Sequence, residues 1–313
     1  MTETDERFLI TGALGCIGAW SCAQLVREDV PVILYDLGTN RERLELIMSP
    51  DELEHPTLVH GDVTDLDHVE RTIRENGITY VIHLAAMLVP LVKADPSRGA
   101  AVNVVGTTNV FEAAKRQGVR GIAYASSAAV YGPDSGPRIE DAGEPTTLYG
   151  VFKLANEGTA SVYFADDGVG SVGLRPYVVY GPGRDQGLTA DPTLAMEAAA
   201  RGEGYEMRWG GRCQLQYAAD AARIFIAAAR AEHGGAAVFN LGGPSAHASD
   251  VVSAIEAAAP EMAGRITFED VQLPFPEEME SGGLEDVVGP IEWTTLHEGT
   301  RQTIELYRAR VSA

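Results

Sequence analysis

The feature that most constrains the fold is a short apolar run near the N-terminus that breaks into regularly spaced glycines. Residues 8–11 are Phe-Leu-Ile-Thr, and Gly12, Gly15 and Gly18 follow at three-residue spacing before an apolar helical pattern resumes. This order predicts a strand, a tight turn and a helix. Glycine suits such a turn because no side chain blocks the approach of a phosphate to the N–H groups of the helix N-terminus. Taken alone, the three glycines fit an ordinary turn as well as they fit dinucleotide binding.

An acidic residue follows at the distance expected for a dinucleotide site. A second apolar strand, residues 31–35, ends on Asp36, eighteen residues beyond Gly18. A carboxylate at that position can accept hydrogen bonds from both hydroxyls of the adenosine ribose, and it repels the additional phosphate of NADP. We therefore predict NAD as the cofactor, although Arg41 and Arg43 lie close in the sequence.

Strand patterns alternate with helical patterns along the first half of the chain. Further strands are predicted at residues 57–60, 80–84 and 121–125. Such regular alternation is typical of an α/β fold with a doubly wound parallel sheet, in which ligands bind at the carboxyl ends of the strands. Asp62 lies at one of these ends, where it is expected to reach the adenine amino group. Ser126 and Ser127 lie at another, where their hydroxyls would face the substrate.

Tyr149 and Lys153 lie four residues apart in a predicted helix, so their side chains share one face, one turn apart. The tyrosine hydroxyl has a pKa of about 10 in water, and a neighbouring ammonium lowers that pKa by stabilising the phenolate. Tyr149 can then act as a general base toward a substrate hydroxyl while hydride leaves the same carbon, and as an acid in the reverse direction. Ser127 would hold the substrate oxygen, and Lys153 would also bind the nicotinamide ribose. Because a Tyr-x-x-x-Lys pair is common on helix surfaces, this interpretation depends on the glycine turn that accompanies it.

The charge and the cysteine content narrow the possible partners. Lysine and arginine total 24 against 45 aspartate and glutamate residues, a formal net charge of -21. Such a charge repels nucleic acid and anionic membranes. The apolar runs are too short to cross a bilayer and the N-terminus is acidic, so we predict a cytoplasmic protein. Three cysteines without ligand spacing, and seven histidines without a zinc pattern, predict neither a disulfide nor a metal site.

Taken together, these motifs resemble the extended short-chain dehydrogenase/reductase (SDR) family, the NAD-dependent epimerase/dehydratase group. The segments that carry the resemblance occur in the family's order between residues 7 and 245: Thr11-Gly12-x-x-Gly15-x-x-Gly18, Gly61-Asp62, His83-Leu84-Ala85-Ala86, Asn103-Val104-x-Gly106-Thr107, Ser126-Ser127-x-x-Val130-Tyr131-Gly132, Tyr149-x-x-x-Lys153 and Arg175-Pro176. The resemblance implies a Rossmann-type NAD domain, a smaller C-terminal substrate lobe, and Ser127, Tyr149 and Lys153 as catalytic residues. It also implies a homodimer formed through two helices per subunit, here those that contain Asn103 and Tyr149.

The resemblance also gives the expected domains and cofactor ligands. We predict an NAD-binding Rossmann domain at residues 1–175 and 216–245, and a substrate-binding α/β lobe at residues 176–215 and 246–313. Within the lobe, residues 274–290 are predicted to form a loop. The residues expected to bind NAD are Gly12, Gly15, Cys16, Ile17, Gly18, Asp36, Asp62, Val63, Leu84, Ala85, Ala86, Asn103, Tyr149 and Lys153.

The substrate lobe departs from the sugar-nucleotide enzymes that the chain resembles. Val178 stands where they commonly carry asparagine, Cys213 stands where they commonly carry arginine, and residues 273–280 are acidic where they carry an Arg-x-Gly-Asp segment. A diphosphate needs cations or hydrogen-bond donors, so we expect a free sugar, a sugar acid or a polyol instead. Arg212 leaves one route by which a nucleotide sugar could still bind.

The lobe offers its own candidate substrate ligands. Arg184, in a glycine-rich loop, could bind a carboxylate, and glutamines on a predicted strand could bind hydroxyls. Pairing of Arg184 with Asp185 or Glu203 at the surface is an equally good interpretation. The candidate substrate ligands are Ser126, Ser127, Arg184, Gln186, Gln214 and Gln216.

Three functions are compatible with these residues. The first is an NAD-dependent oxidoreductase that removes hydride from a secondary alcohol of a small carbohydrate-like molecule. The alternative is a sugar or sugar-nucleotide epimerase similar to UDP-glucose 4-epimerase, which oxidises the same kind of carbon, returns hydride to the opposite face and retains its NAD. A remote third is a non-catalytic NAD-sensing protein, against which the complete set of Ser127, Tyr149 and Lys153 argues.

Overall fold

The structure, a computed structural model, describes residues 5–311. Its centre is a seven-stranded parallel sheet with the strand order β10-β6-β5-β4-β1-β2-β3, which confirms the predicted Rossmann-type doubly wound fold. The strands of the chain are β1 (Phe8–Thr11), β2 (Val32–Asp36), β3 (Thr57–His60), β4 (Tyr80–His83), β5 (Gly121–Ala125), β6 (Ser171–Arg175), β7 (Val178–Tyr180), β8 (Tyr205–Met207), β9 (Arg212–Tyr217), β10 (Ala236–Asn240), β11 (Ser245–His247) and β12 (Ile266–Phe268).

Helices cover both faces of this sheet. They are α1 (Cys16–Arg27), α2 (Glu42–Ile47), α3 (Leu66–Asn76), α4 (Val89–Ala94), α5 (Pro96–Ala100), α6 (Gly106–Gln117), α7 (Leu148–Asp167), α8 (Asp191–Ala200), α9 (Ala218–Arg230), α10 (Ala248–Ala258), α11 (Leu284–Val288) and α12 (Leu296–Val311). Side chains of β1 alternate between two cores, because Phe8 and Ile10 pack with α1 and α9 whereas Leu9 packs with α3 and α6. Burial on both faces explains why these strands are almost continuously apolar.

The apolar helical pattern over residues 97–117 is interrupted in the structure. A π-helical turn at Ala101–Val105 separates α5 from α6. The amide of Asn103, inside this turn, bonds to the backbone of Met87 in the loop after β4. The turn therefore directs a polar side chain toward the edge of the sheet, and such π turns often occur beside functional sites.

The remaining strands form a smaller α/β lobe at the carboxyl edge of the sheet. They make a three-stranded sheet ordered β11-β9-β7 and a two-stranded sheet of β12 and β8. Residues 274–290, which we predicted as a loop, contain α11, whose Leu284 is fully buried against the core beside α1 and α9. Within residues 5–311, no helix combines the length and the apolar content needed to cross a bilayer.

Candidate active site

The glycine turn between β1 and α1 is closely packed against the next strand. Gly12 has a φ of +67°, and a Cβ at this position would lie 2.6 Å from the backbone nitrogen of Ala85. A Cβ on Gly18 would lie 2.7 Å from the carbonyl oxygen of Ala13. Both positions therefore require glycine. Gly15 precedes the first turn of α1 and no side chain caps that turn, so the helix N-terminus is open to an anion such as a pyrophosphate.

Asp36 lies at the end of β2, beside this turn. Its two carboxylate oxygens accept the N–H groups of Leu14 at 2.9 Å and Gly38 at 2.8 Å, which hold the side chain at the rim of the cleft. Arg41 donates to the carbonyl of Leu53, and Arg43 binds other groups described below, so neither arginine pairs with this carboxylate. The arrangement favours two ribose hydroxyls over a 2′-phosphate.

Asp62 lies on the adenosine side of the cleft and is held by two partners. One oxygen accepts the N–H of Thr64 at 2.9 Å, and the other pairs with Arg98 at the end of α5. Burial favours a higher pKa for Asp62, but the hydrogen bonds from Thr64 and Arg98 outweigh it and lower the pKa below its usual value. The carboxylate therefore stays ionised. Sequence analysis missed Arg98, because no pattern relates residues 36 positions apart.

The expected cofactor ligands divide into those that line the cleft and one that does not. The lining set is Gly12, Gly15, Cys16, Ile17, Gly18, Asp36, Asp62, Val63, Leu84, Ala85, Ala86, Tyr149 and Lys153. Asn103 is fully buried, and its amide bonds to the backbone N–H and carbonyl of Met87 at 2.7 and 3.0 Å. It therefore holds the loop after β4, and the structure does not place it against the cofactor as we expected.

The three expected catalytic residues line the same cleft as the glycine turn. Tyr149 lies in the first turn of α7, which Thr147 caps by accepting the N–H of Gly150 at 3.0 Å. Ser127, which follows β5, lies close enough to Tyr149 for its side chain to lower the pKa of the phenol, and its Oγ accepts the N–H of Ala129 at 3.1 Å. The Nζ atom of Lys153 lies 5.6 Å from the centre of the Tyr149 ring and donates to the carbonyl of Ala125 at 2.6 Å.

Burial governs the protonation of this group. It lowers the pKa of Lys153 to about 8, against the opposing charge of Glu157. Burial raises the pKa of Tyr149, although the neighbouring Ser127 side chain and the charge of Arg184 oppose the rise. The pKa of Tyr149 is therefore raised, where we expected Lys153 to lower it. The physical reason is that a buried phenolate loses hydration, while the Lys153 ammonium binds the Ala125 carbonyl.

A buried polar network supports the end of β5 from behind. Ser126 donates its hydroxyl proton to Glu157, and Glu157 forms a two-pronged ion pair with Arg175, with both N–O distances 2.8 Å. Arg175 also bonds to the Tyr131 hydroxyl at 2.9 Å. The Ser126 hydroxyl proton is thus used in the hydrogen bond to Glu157. Ser126, which we expected to contact substrate, lines the cleft but belongs to this buried network.

The substrate end of the cleft has a mostly apolar wall. The cleft as a whole has a volume of about 770 Å³, and at this end it is lined by Ala128, Ala129, Pro176, Tyr177, Val179, Leu188, Pro274 and Phe275. Arg184 and Gln186 also lie here. The Arg184 guanidinium donates to Thr189 at 2.9 Å and its buried Nε has no partner, whereas Asp185 pairs with Arg43. The surface pairing of Arg184 that we considered is therefore not formed.

The two candidate glutamines of β9 do not reach the cleft. Gln214 exchanges hydrogen bonds of 3.0 and 3.1 Å with the backbone of Met279. Gln216 accepts the N–H of Tyr177 at 2.9 Å and donates to the carbonyl of Gly242 at 2.5 Å. Both amides thus satisfy backbone groups of neighbouring loops. The structure corrects our expectation that they bind substrate hydroxyls.

Of the positions that distinguish the lobe from sugar-nucleotide enzymes, Pro274 and Phe275 line the substrate end of the cleft, whereas Val178 and Cys213 lie away from it. Val178 and Cys213 are buried in the core of the lobe. Arg212 is exposed at the start of β9, and it does not line the cleft. Arg212 therefore supplies no diphosphate ligand in this structure.

Comparison with known proteins adds to this geometry. The profile of the NAD dependent epimerase/dehydratase family matches residues 8–242. The UDP-glucose 4-epimerase of Mycolicibacterium smegmatis is 29% identical over 96% of this chain and 98% of that enzyme. The chain spans about half the length of other curated relatives, such as UDP-glucuronate 4-epimerase 2 of Arabidopsis thaliana, which is 31% identical over 58% of this chain and 44% of its own length.

A solved structure agrees with the relatives found by sequence. The UDP-glucose 4-epimerase of Thermus thermophilus, in complex with NAD, has a TM-score of 0.79 to this chain at 25% identity, covering 96% of this chain and 99% of the other. The overall fold of this chain is thus similar to that of an epimerase solved with NAD bound.

Proposed function

Because the chain belongs to the NAD-dependent epimerase/dehydratase family, we propose that this NAD-dependent enzyme is an epimerase that inverts a secondary alcohol of a sugar. The observation that carries the proposal is the meeting of Ser127, Tyr149 and Lys153 in one cleft with the glycine turn. The relatives favour this alternative over the dehydrogenase that we placed first. The residues that line the cleft fit NAD, because the open N-terminus of α1 suits a pyrophosphate and Asp36 suits the ribose.

The chemistry follows from the positions of the three side chains. Bound NAD supplies the hydride acceptor. Ser127 holds the substrate oxygen by a hydrogen bond, and Tyr149 takes the hydroxyl proton as the C–H bond gives up its hydride, so that a ketone forms. Lys153, whose Nζ lies beside the Tyr149 ring, would bind the nicotinamide ribose. The ketone would then rotate in the cleft to present its other face. Tyr149 would return the same proton as hydride is transferred back to that face of the carbon.

A dehydrogenase acting on a small sugar acid is the second candidate, and the charges of the cleft favour it. Among the described cations that line the cleft, Arg43 and Arg98 are already ion-paired with carboxylates, and Lys153 belongs to the catalytic group. Arg184 alone has no ion-pair partner. One guanidinium suits one carboxylate, whereas a diphosphate needs several donors. The substrate of a dehydrogenase would therefore be smaller than a nucleotide sugar.

Turnover with and without added NAD distinguishes the two candidates. We expect protein purified with bound NAD to invert UDP-glucose, UDP-glucuronate or a free sugar without added cofactor and without net NADH, with the products identified by NMR. Net NADH release with a free sugar acid would contradict the epimerase and support the dehydrogenase. Tyr149→Phe should lower either rate by about 10²–10⁴-fold with the fold intact, because it removes the proton acceptor. An unchanged rate in this variant would reject both enzymes.

The exposed side of α7 supports a proposal about assembly. Leu148, Val151 and Val162 are 48%, 44% and 58% exposed on this helix, and the small residues Ala155 and Gly158 lie between them. Their spacing forms one stripe along the helix. A stripe of apolar and small side chains suits close packing against another helix, so we propose a homodimer through α7.

A further inference from the structure

The loop between β7 and α8 is held by the NAD-binding half of the molecule. We name residues 181–187 the strap. The indole nitrogen of Trp20, in α1, donates to the carbonyl of Pro182 at 3.0 Å. From the other side, the Tyr307 hydroxyl in α12 accepts the N–H of Gly183 at 3.2 Å. The strap thus continues the substrate lobe in the chain but lies against the first helix of the NAD-binding sheet.

Arg43, at the start of α2, joins the strap to the glycine turn. Its Nη1 donates to the carbonyl of Leu14 at 2.8 Å, and its Nε donates to the carbonyl of Gly183 at 2.9 Å. Its Nη2 forms an ion pair of 2.6 Å with Asp185. Each guanidinium nitrogen therefore has its own acceptor, one on the glycine turn and two on the strap. A lysine has a single nitrogen and cannot reproduce this planar arrangement.

The strap forms one side of the proposed cofactor cleft, facing the glycine turn. Leu14, Gly15 and Cys16 line the cleft from the glycine turn, and residues 183–187 line it from the strap. The thiol of Cys16 lies 3.7 Å from the carbonyl oxygen of Pro182, so the two sides nearly touch at the N-terminus of α1. A dinucleotide whose pyrophosphate lies at this helix end would be enclosed between them. The Arg43–Asp185 pair also borders a second cavity of about 610 Å³. Dissolved ions can reach the ion pair through this cavity and weaken it.

We propose that the strap, held closed by Arg43, gates the entry and release of NAD. This inference rests on the proposed epimerase, because such an enzyme must keep NADH in place between the two hydride transfers. A gate slows association and dissociation together, whereas an ordinary binding contact slows dissociation alone. The two rate constants therefore distinguish a gate from a contact.

The test measures NADH exchange in the absence of any sugar. NAD is removed from the purified protein, which is then loaded with NADH. The dissociation rate is measured from NADH fluorescence after excess NAD is added, and the association rate is measured by stopped-flow mixing. We expect Arg43→Ala to raise both rates by at least about tenfold, because one charge-assisted hydrogen bond alone is worth about that factor. Arg43→Lys should give an intermediate effect, and added salt should speed exchange in the wild type but not in Arg43→Ala.

Arg41→Ala is the matched control, since Arg41 lies two residues away but donates to Leu53 outside the cleft. If Arg43→Ala does not fold, Asp185→Asn and Trp20→Phe weaken the strap from its other contacts and should also raise both rates. Unchanged rates in the folded variants, or faster dissociation with unchanged association, would overturn the gate. Because no substrate is used, slow gated exchange in a protein that epimerises no sugar would reject the proposed function and leave the gate standing.

Discussion

The buried ammonium of Lys153, in the proposed active site, lowers the stability of the folded protein. Burial lowers its pKa from the usual 10.5 to about 8. At pH values between 8 and 10.5, the native state therefore binds fewer protons than the unfolded state. The free-energy cost of the buried ammonium is therefore fully present below pH 8 and declines as the pH rises toward 10.5. Lys153→Met should abolish turnover. It should also raise the free energy of unfolding at neutral pH by about 1–2 kcal/mol, because removal of the buried charge outweighs the loss of the hydrogen bond to Ala125.

Urea unfolding of the NAD-free protein measures this effect at neutral pH and again in the alkaline range. The stabilisation by Lys153→Met should shrink in the alkaline range. Lys93→Met, at an exposed position of α4, is the control and should change stability little. A less stable Lys153→Met protein at neutral pH would contradict the prediction.

Local spacing was sufficient to predict that the proposed catalytic side chains lie close together, but it did not predict the residues that support them. Tyr149 and Lys153 are one helical turn apart, so their proximity follows from the sequence alone. Whether an amide faces a ligand or a loop depends on distant partners, and Gln214 bonds to Met279, 65 residues later. Arg43 was noted only for its distance from Asp36 in the sequence, and no local pattern relates it to a loop 140 residues further along.

At the scale of elements, the exposed stripe on α7 can be tested with one substitution. A Cβ at Gly158 would meet no atom within 4 Å, so an arginine there should leave the fold of the subunit unchanged. Between two packed helices the same side chain would clash and bury a charge. Gly158→Arg should therefore convert a dimer into a monomer, as measured by size-exclusion chromatography with light scattering.

The control for this experiment is Gly234→Arg, at another glycine whose added Cβ meets no atom within 4 Å but which lies outside α7. It should leave the dimer intact. A wild-type protein that is already monomeric, or a Gly158→Arg protein that stays dimeric, would show that the α7 stripe is not the interface.

The sequence predicted the strands of the central sheet better than it predicted the π turn and the short helix α11. The five strands from β1 to β5 match the predicted ones closely, because an apolar run followed by a glycine or a polar residue is a local signal. The π turn in residues 101–105 and the helix α11 were missed. Both are stabilised by tertiary contacts, the first through Asn103 and Met87 and the second through buried Leu284, which periodicity does not reveal.

At the scale of the whole molecule, charge repulsion competes with the ion pairs. The formal net charge is -21, with 24 basic residues against 45 acidic ones. The screening length falls from about 30 Å at 0.01 M salt to about 10 Å at 0.1 M, so salt weakens long-range repulsion more than it weakens contact pairs. The melting temperature should therefore rise by a few degrees over this range in NaCl, and equally in KCl. A lower melting temperature in salt would show that the ion pairs dominate.

The place of β10 in the central sheet has a consequence for how such a protein is made and how it can evolve. This strand pairs with β6 only after the chain has passed through β7, β8 and β9 in the lobe. During translation, β6 therefore keeps an unpaired edge until residues 236–240 have left the ribosome. For the same reason, a recombination event that transplants the intervening lobe segment onto a related sheet needs two crossovers, one after β6 and one between β9 and α9.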